Sequence, residues 1–171
     1  MSMTRSPISW TDTASTDDPM RSVELSKGRV FVLALETGEC VKEEVEGFAR
    51  DNKILNAKVT ILGGMLEGSS FVVGPQLDGG KVGAPISPID HTIYAPSEFA
   101  GVGTIFPNEA GDPILHLHGS VGREGQSSTG CFRGKAKAWL TLEVIIEEMV
   151  GNGPIRMYDP DLRVSPLCMK D

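Results

Sequence analysis

The chain has no long apolar run. Nothing in it approaches the ~20 consecutive apolar residues that a membrane helix needs, and a stretch such as Val30 to Leu35 has only strand length. It has no basic excess: 16 lysines and arginines stand against 23 acidic residues, a formal net charge of −7. Long-range attraction to nucleic acid calls for the opposite balance. It has no cysteine framework. Cys40, Cys131 and Cys168 are odd in number and scattered, which suits a reducing compartment better than a disulfide scaffold. Met1 to Arg21 is polar and has no apolar signal-peptide core, so the expected location is the cytoplasm. Residues 1–26 read as a flexible polar tail and 27–171 as a single domain, the length being enough for one core.

Along that domain the apolar pattern alternates between strand and helix periods. Val30 to Leu35 predicts a strand covered on both faces. Val41, Val45, Phe48 and Ala49 repeat at helical spacing among charged residues, predicting an amphipathic helix from about Glu39 to Asn52. "AKVTILGG" reads as a second strand, which makes a strand–helix–strand opening. Further strands are expected in "SSFVVGPQ", "HTIYA" and "EFAGVGTIFP", with a Gly- and Pro-rich loop over 77–90. "ILHLHGSV" and "STGCFRGKAKAW" follow as two strands around a tight connection. "TLEVIIEEMVG" predicts a second helix with Leu142, Ile145, Ile146 and Met149 on its apolar side. "PIRMYD" and "DLRVSPL" close the chain as short strands. The sum is an α/β (α+β) domain with a mixed, mostly antiparallel sheet and two main helices.

Histidine is scarce: three in the chain, two of them His116 and His118. On a strand they share one face with Ile114 and Ser120, while Leu115, Leu117 and Val121 share the other, which is the core face. A two-residue turn at Glu124-Gly125 would put His118 opposite Cys131, His116 opposite Arg133 and Ser120 opposite Thr129. Opposed residues project from the same face. His116, His118 and Cys131 would then converge, and two imidazoles with a thiolate are zinc ligands that leave a fourth position open. The plainer alternative is a polar strand surface with Cys131 as a small buried residue. His91 is a candidate extra ligand or a loop residue. Arg133, Lys135 and Lys137 are the only dense basic cluster, and alternation would put all three on one solvated strand face.

"DPILHLHGSV", the glycine-containing turn after it and "TGCFRGKAKAWLTLEVIIEE" together resemble the PPC (plants and prokaryotes conserved) domain. The segment "GRVFVLALETGECVKEEVEGFARDNKILNAKVTILGGM" is similar to that family's first strand, helix start and second strand. The resemblance covers about residues 27–160 and points to the prokaryotic single-domain type. It implies a homotrimer, and a metal at the histidine cluster, zinc being the expected ion. It also implies a fold related to acetolactate decarboxylase, a zinc enzyme with an H-x-H pair. Many members carry a DNA-binding or regulatory label because plant members join the domain to AT-hooks. The AT-hook core, arginine-glycine-arginine-proline, does not occur here.

One departure stands out. Where the family has Gly-Gly-His, this chain has Thr129-Gly130-Cys131, so Cys131 takes the third histidine's place. Glu98 matches a strand glutamate of the family, as a further ligand, a base or an exposed side chain. Arg133 is a candidate for holding an anionic substrate. Three functions stay open. The first is a DNA-associated or regulatory module using Arg133, Lys135 and Lys137. The second is a zinc-dependent, lyase- or decarboxylase-like enzyme acting on a small carboxylate, with Glu98 and Arg133 as catalytic candidates. The third is a metal-dependent small-molecule binding protein.

Overall fold

The structure is a computed structural model and describes residues 21–76 and 85–169. Most of the expected tail (residues 1–20) and much of the expected loop (77–84) lie outside the described residues.

Eight strands form one sheet: β1 (Ser26–Glu36), β2 (Ala57–Met65), β3 (Ser70–Pro75), β4 (Pro88–Thr92), β5 (Ser97–Pro107), β6 (Pro113–Arg123), β7 (Gln126–Phe132) and β8 (Ala138–Val150). Their order is β1-β8-β2-β5-β6-β7-β3-β4, and every neighbouring pair is antiparallel. A small ribbon pairs β9 (Ile155–Arg156) with β10 (Leu167–Cys168). The helix α1 (Val41–Asp51) connects β1 to β2. Both of those strands run antiparallel to β8, which lies between them. They are therefore parallel to each other, and the strand–helix–strand opening expected from the sequence exists with a later strand inserted into it.

Two adjacent cross-strand rows define the two faces. Phe31, Ile146, Val59, Gly103, Leu117, Phe132 and Phe71 are paired in succession across seven strands. This row faces α1, whose Val41, Val45 and Ala49 are buried, and it joins the main core with Leu142 and Val144. The Phe48 ring meets Phe31 edge-on at 5.1 Å. The neighbouring row is Val32, Ile145, Thr60, Val102, His118, Cys131 and Val72. It lies on the opposite face, which no described helix covers.

The second helix expected from residue 141 is the strand β8. The helical reading put Leu142, Ile145, Ile146 and Met149 on one side. In the sheet Leu142 and Ile146 point to the core, and Ile145 projects from the open face. Burial at Leu142, Val144 and Ile146 has period two. Thr141, Val144, Ile145, Ile146 and Val150 are β-branched and suit a pleated surface. Two ladders, to β1 and to β2, then outweigh a helical spacing that a run of apolar residues also satisfies.

Two further expectations are corrected. The strand β1 is an edge strand and is not covered on both faces: Val30 and Val32 are 51% and 73% exposed. Arg133, Lys135 and Lys137 do not share a strand face. The strand β7 stops at Phe132, and residues 133–137 form the connector to β8, turning at Gly134.

Candidate metal centre

The hairpin between β6 and β7 sets the site. Its two-residue turn is Glu124-Gly125, with φ of 54° and 78°. Both angles lie in the left-handed region that such a turn needs, and glycine reaches it without strain. The turn fixes the register: His118 pairs with Cys131, and Ser120 with Thr129. The ladder ends at Leu117 and Phe132, so the expected pairing of His116 with Arg133 does not form.

Glycine on the core face lets the hairpin lie flat. Gly101, Gly119 and Gly130 are paired in a row, and the Phe99 ring lies over the first two. A Cβ on Gly119 would meet that ring at 2.5 Å, and one on Gly130 would collide with the Val72 carbonyl. Phe99 in turn meets Phe132 edge-on at 4.7 Å. The strands carrying His118 and Cys131 are thus seated on an aromatic floor.

On the open face the His116 and His118 Nε2 atoms are 3.1 Å apart. One ligand atom from each of His116, His118 and Cys131 lies within 4.8 Å of the others. Donors around a tetrahedral zinc, bonded at about 2.0–2.3 Å, stand roughly 3.3–3.7 Å from one another. The two imidazole nitrogens are already near that spacing, and a movement of about 1 Å brings the widest-set donor to it. The donor set and its geometry fit the ion.

His116 is held neutral. Protein around its ring strips solvation and lowers its pKa to about 4, aided by the positive charges of Arg156, His118 and Arg133. Neutral imidazole is the form that binds metal.

Arg156, on β9, is the residue that sequence reasoning missed. It is 7% exposed, and its Nη2 donates to Thr104 Oγ1 at 3.1 Å. Thr104 is the direct cross-strand partner of His116. A lone arginine in a short strand, forty positions further along the chain, carries no local signal tying it to the histidine pair.

The remaining candidates lie elsewhere. Glu98 is on the open face but opposite Gly122, four residues along β5 from the partner of His118. At about 3.4 Å per residue that is roughly 14 Å away. His91 pairs with Phe71 on the core row, and their rings are 5.1 Å apart, so it does not join the cluster. Arg133 lies just past the ladder, close enough for its charge to act on His116. Beside His118 a shallow hollow of about 490 Å³ runs over Thr60, Leu62, Ala100, Val102 and Thr129. Val102 and Leu62 are 55% and 43% exposed there.

The sequence model of the Plants and Prokaryotes Conserved (PCC) domain family matches residues 22–150. A search of curated proteins gives no match. Several solved structures share the fold. A metal-containing protein from Archaeoglobus fulgidus is 19% identical with a TM-score of 0.74, over 86% of this chain and 99% of that one. A plant- and prokaryote-conserved (PPC) protein from Pyrococcus horikoshii is 19% identical with a TM-score of 0.70, over 89% and 99%. A Ralstonia eutropha JMP134 protein with a provisional DNA-binding name is 21% identical with a TM-score of 0.62, over 81% and 90%. At such identities the likeness is one of fold.

Proposed function

This chain belongs to the Plants and Prokaryotes Conserved domain family, and on that premise we propose that it is a metal-dependent binding protein with zinc at His116, His118 and Cys131. One observation carries the reading: two imidazoles and a thiol converge within 4.8 Å on one sheet face. Zinc held by three protein donors supplies a Lewis-acidic position for a fourth ligand, and a thiolate among them tempers that acidity.

A regulatory role fits the provisional DNA-binding names of two solved relatives. Direct DNA contact is the weaker part of it. The net charge is −7, and Arg133, Lys135 and Lys137 lie along a connector and do not form one basic strand face. The second reading is a zinc-dependent, lyase- or decarboxylase-like enzyme acting on a small carboxylate. It is favoured by the open ligand position beside a buried arginine. In either reading residues 27–171 act as one domain.

The working unit is a homotrimer. The exposed Val30, Val32, Leu62 and Val102 on one face support self-association, and the resemblance to the PPC domain gives the number of copies. Among the described residues no helix is long and apolar enough to cross a membrane. Three free cysteines support a cytoplasmic location.

Elemental analysis of tag-free protein tests the centre. About one zinc per chain, lost in His118→Ala, is the expected result. No metal in the wild-type protein, even after incubation with zinc, overturns the reading.

A further inference from the structure

Arg156 is a buried cation. Among the described residues no carboxylate forms an ion pair with it. Its Nη2 uses one donor on Thr104, its Nη1 reaches the Ser165 carbonyl only at 3.5 Å, and its Nε has no partner. A guanidinium carries five N–H donors, so most of its capacity is unspent. Burying a charge and its donors in this way is costly unless an anion answers them.

The arrangement around it says where that anion would sit. The charge of Arg156 reaches His116, and the charge of Cys131 reaches Arg156. Thr104 stands between Arg156 and His116: it is paired with His116 across β5 and β6, and its Oγ1 accepts from Arg156. A divalent ion bound by two neutral imidazoles and one thiolate keeps one positive charge, and Arg156 adds a second. Two net positive charges side by side select an anion. A planar fork of N–H donors selects an oxyanion that can accept two bonds, which is the geometry of a carboxylate.

We infer that Arg156 makes this centre a two-point receptor for a small free carboxylate, one end on the metal and the carboxylate on the guanidinium. The inference rests on the metal-centre reading. It assigns the anion to Arg156, and Arg133, on the connector, is not needed for it. Thr104 is a positioning residue that holds the guanidinium toward His116.

Oxalate is the probe, titrated calorimetrically into zinc-loaded protein, with zinc per chain and the thermal midpoint measured for every variant. Arg156→Gln should keep its zinc and lose tenfold or more in oxalate affinity. Arg156→Lys, which keeps the charge without the fork, should lose less and guards against a folding defect in the glutamine variant. Thr104→Val should weaken oxalate a few-fold at unchanged zinc content. Arg133→Gln, which removes a charge from the connector, should lose far less than Arg156→Gln does.

Oxalate affinity unchanged in zinc-loaded Arg156→Gln overturns the inference and leaves the metal centre standing. Loss of self-association in that variant, at unchanged oxalate affinity, also overturns it: the carboxylate would then come from another copy of the chain. A wild-type protein that takes up no zinc overturns the metal reading and this one with it.

Discussion

His118 and Cys131 stand directly opposite each other across the β6–β7 hairpin, on the face turned away from the helix. His116, two residues earlier on β6, brings its Nε2 to 3.1 Å from that of His118. The register that makes the first relationship and the pleat that makes the second are both backbone properties. The donor cluster is therefore built into the sheet and does not depend on a loop.

Cobalt substitution reports on the thiol. Cobalt(II)-loaded protein should show a strong near-ultraviolet thiolate-to-cobalt absorption, which Cys131→Ser removes while Cys40→Ser leaves it intact. Cys40 is buried, is directed to the Gly134 carbonyl and is not one of the converging donors. A spectrum indifferent to Cys131→Ser would exclude the thiolate as a ligand.

The open apolar face makes a prediction about assembly. Val32 and Val102 belong to one cross-strand row and are 73% and 55% exposed. Val102→Asp should lower the mass measured by light scattering from that of an oligomer to that of a single chain. The thermal midpoint should fall as well, because the assembly stabilises its subunits. A variant of unchanged mass would place the contact elsewhere.

The glycine row predicts a packing defect. Gly119→Ala forces its Cβ into the Phe99 ring. Overpacking of this kind costs about 1–3 kcal/mol, to be read from urea denaturation. Ser120→Ala, one residue along on the open face, should stay within about 0.5 kcal/mol of the wild type. Equal effects at the two positions would show that the floor accommodates a methyl group freely.

The ion pair between Arg29 and Glu148 predicts a pH dependence. Hydrogen bonds from Arg29, at 2.7 and 2.8 Å to its side chain, lower the Glu148 pKa to about 2. A carboxylate with a lower pKa in the folded state stabilises the fold fully above its ordinary value of 4.5. That contribution fades as pH falls from there through about 2. Glu148→Gln should be less stable than the wild type at pH 7, by about 1 kcal/mol or less for so exposed a partner. The gap should close in acid, and a gap constant with pH would show that the charge plays no part.

The histidine strand was legible because its argument used only a pleat and a turn. Alternation assigned Leu115 and Leu117 to the core, and Glu124-Gly125 fixed which residue opposes which. The first helix was legible because its charged residues interrupt the apolar ones at the helical period. The segment from Thr141 to Val150 was not, since apolar residues at positions 142, 144, 145, 146 and 149 satisfy both periods. What decides between them is the pair of neighbours, β1 and β2, which come from the other end of the chain. The basic cluster failed for a related reason: alternation holds only while a strand lasts, and β7 ends one residue before Arg133.

The sequence by itself determined what short-range geometry controls: the faces of β6, the hairpin register and the meeting of His118 with Cys131. Only the tertiary structure decided what long-range packing controls. It placed β8 between β1 and β2, kept Glu98 away from the cluster and buried Arg156 beside His116 by way of Thr104. A pleat repeats every two residues and can be counted along the chain. The meeting of residues 104, 116 and 156 depends on the order of strands in the sheet, and no local pattern encodes that order.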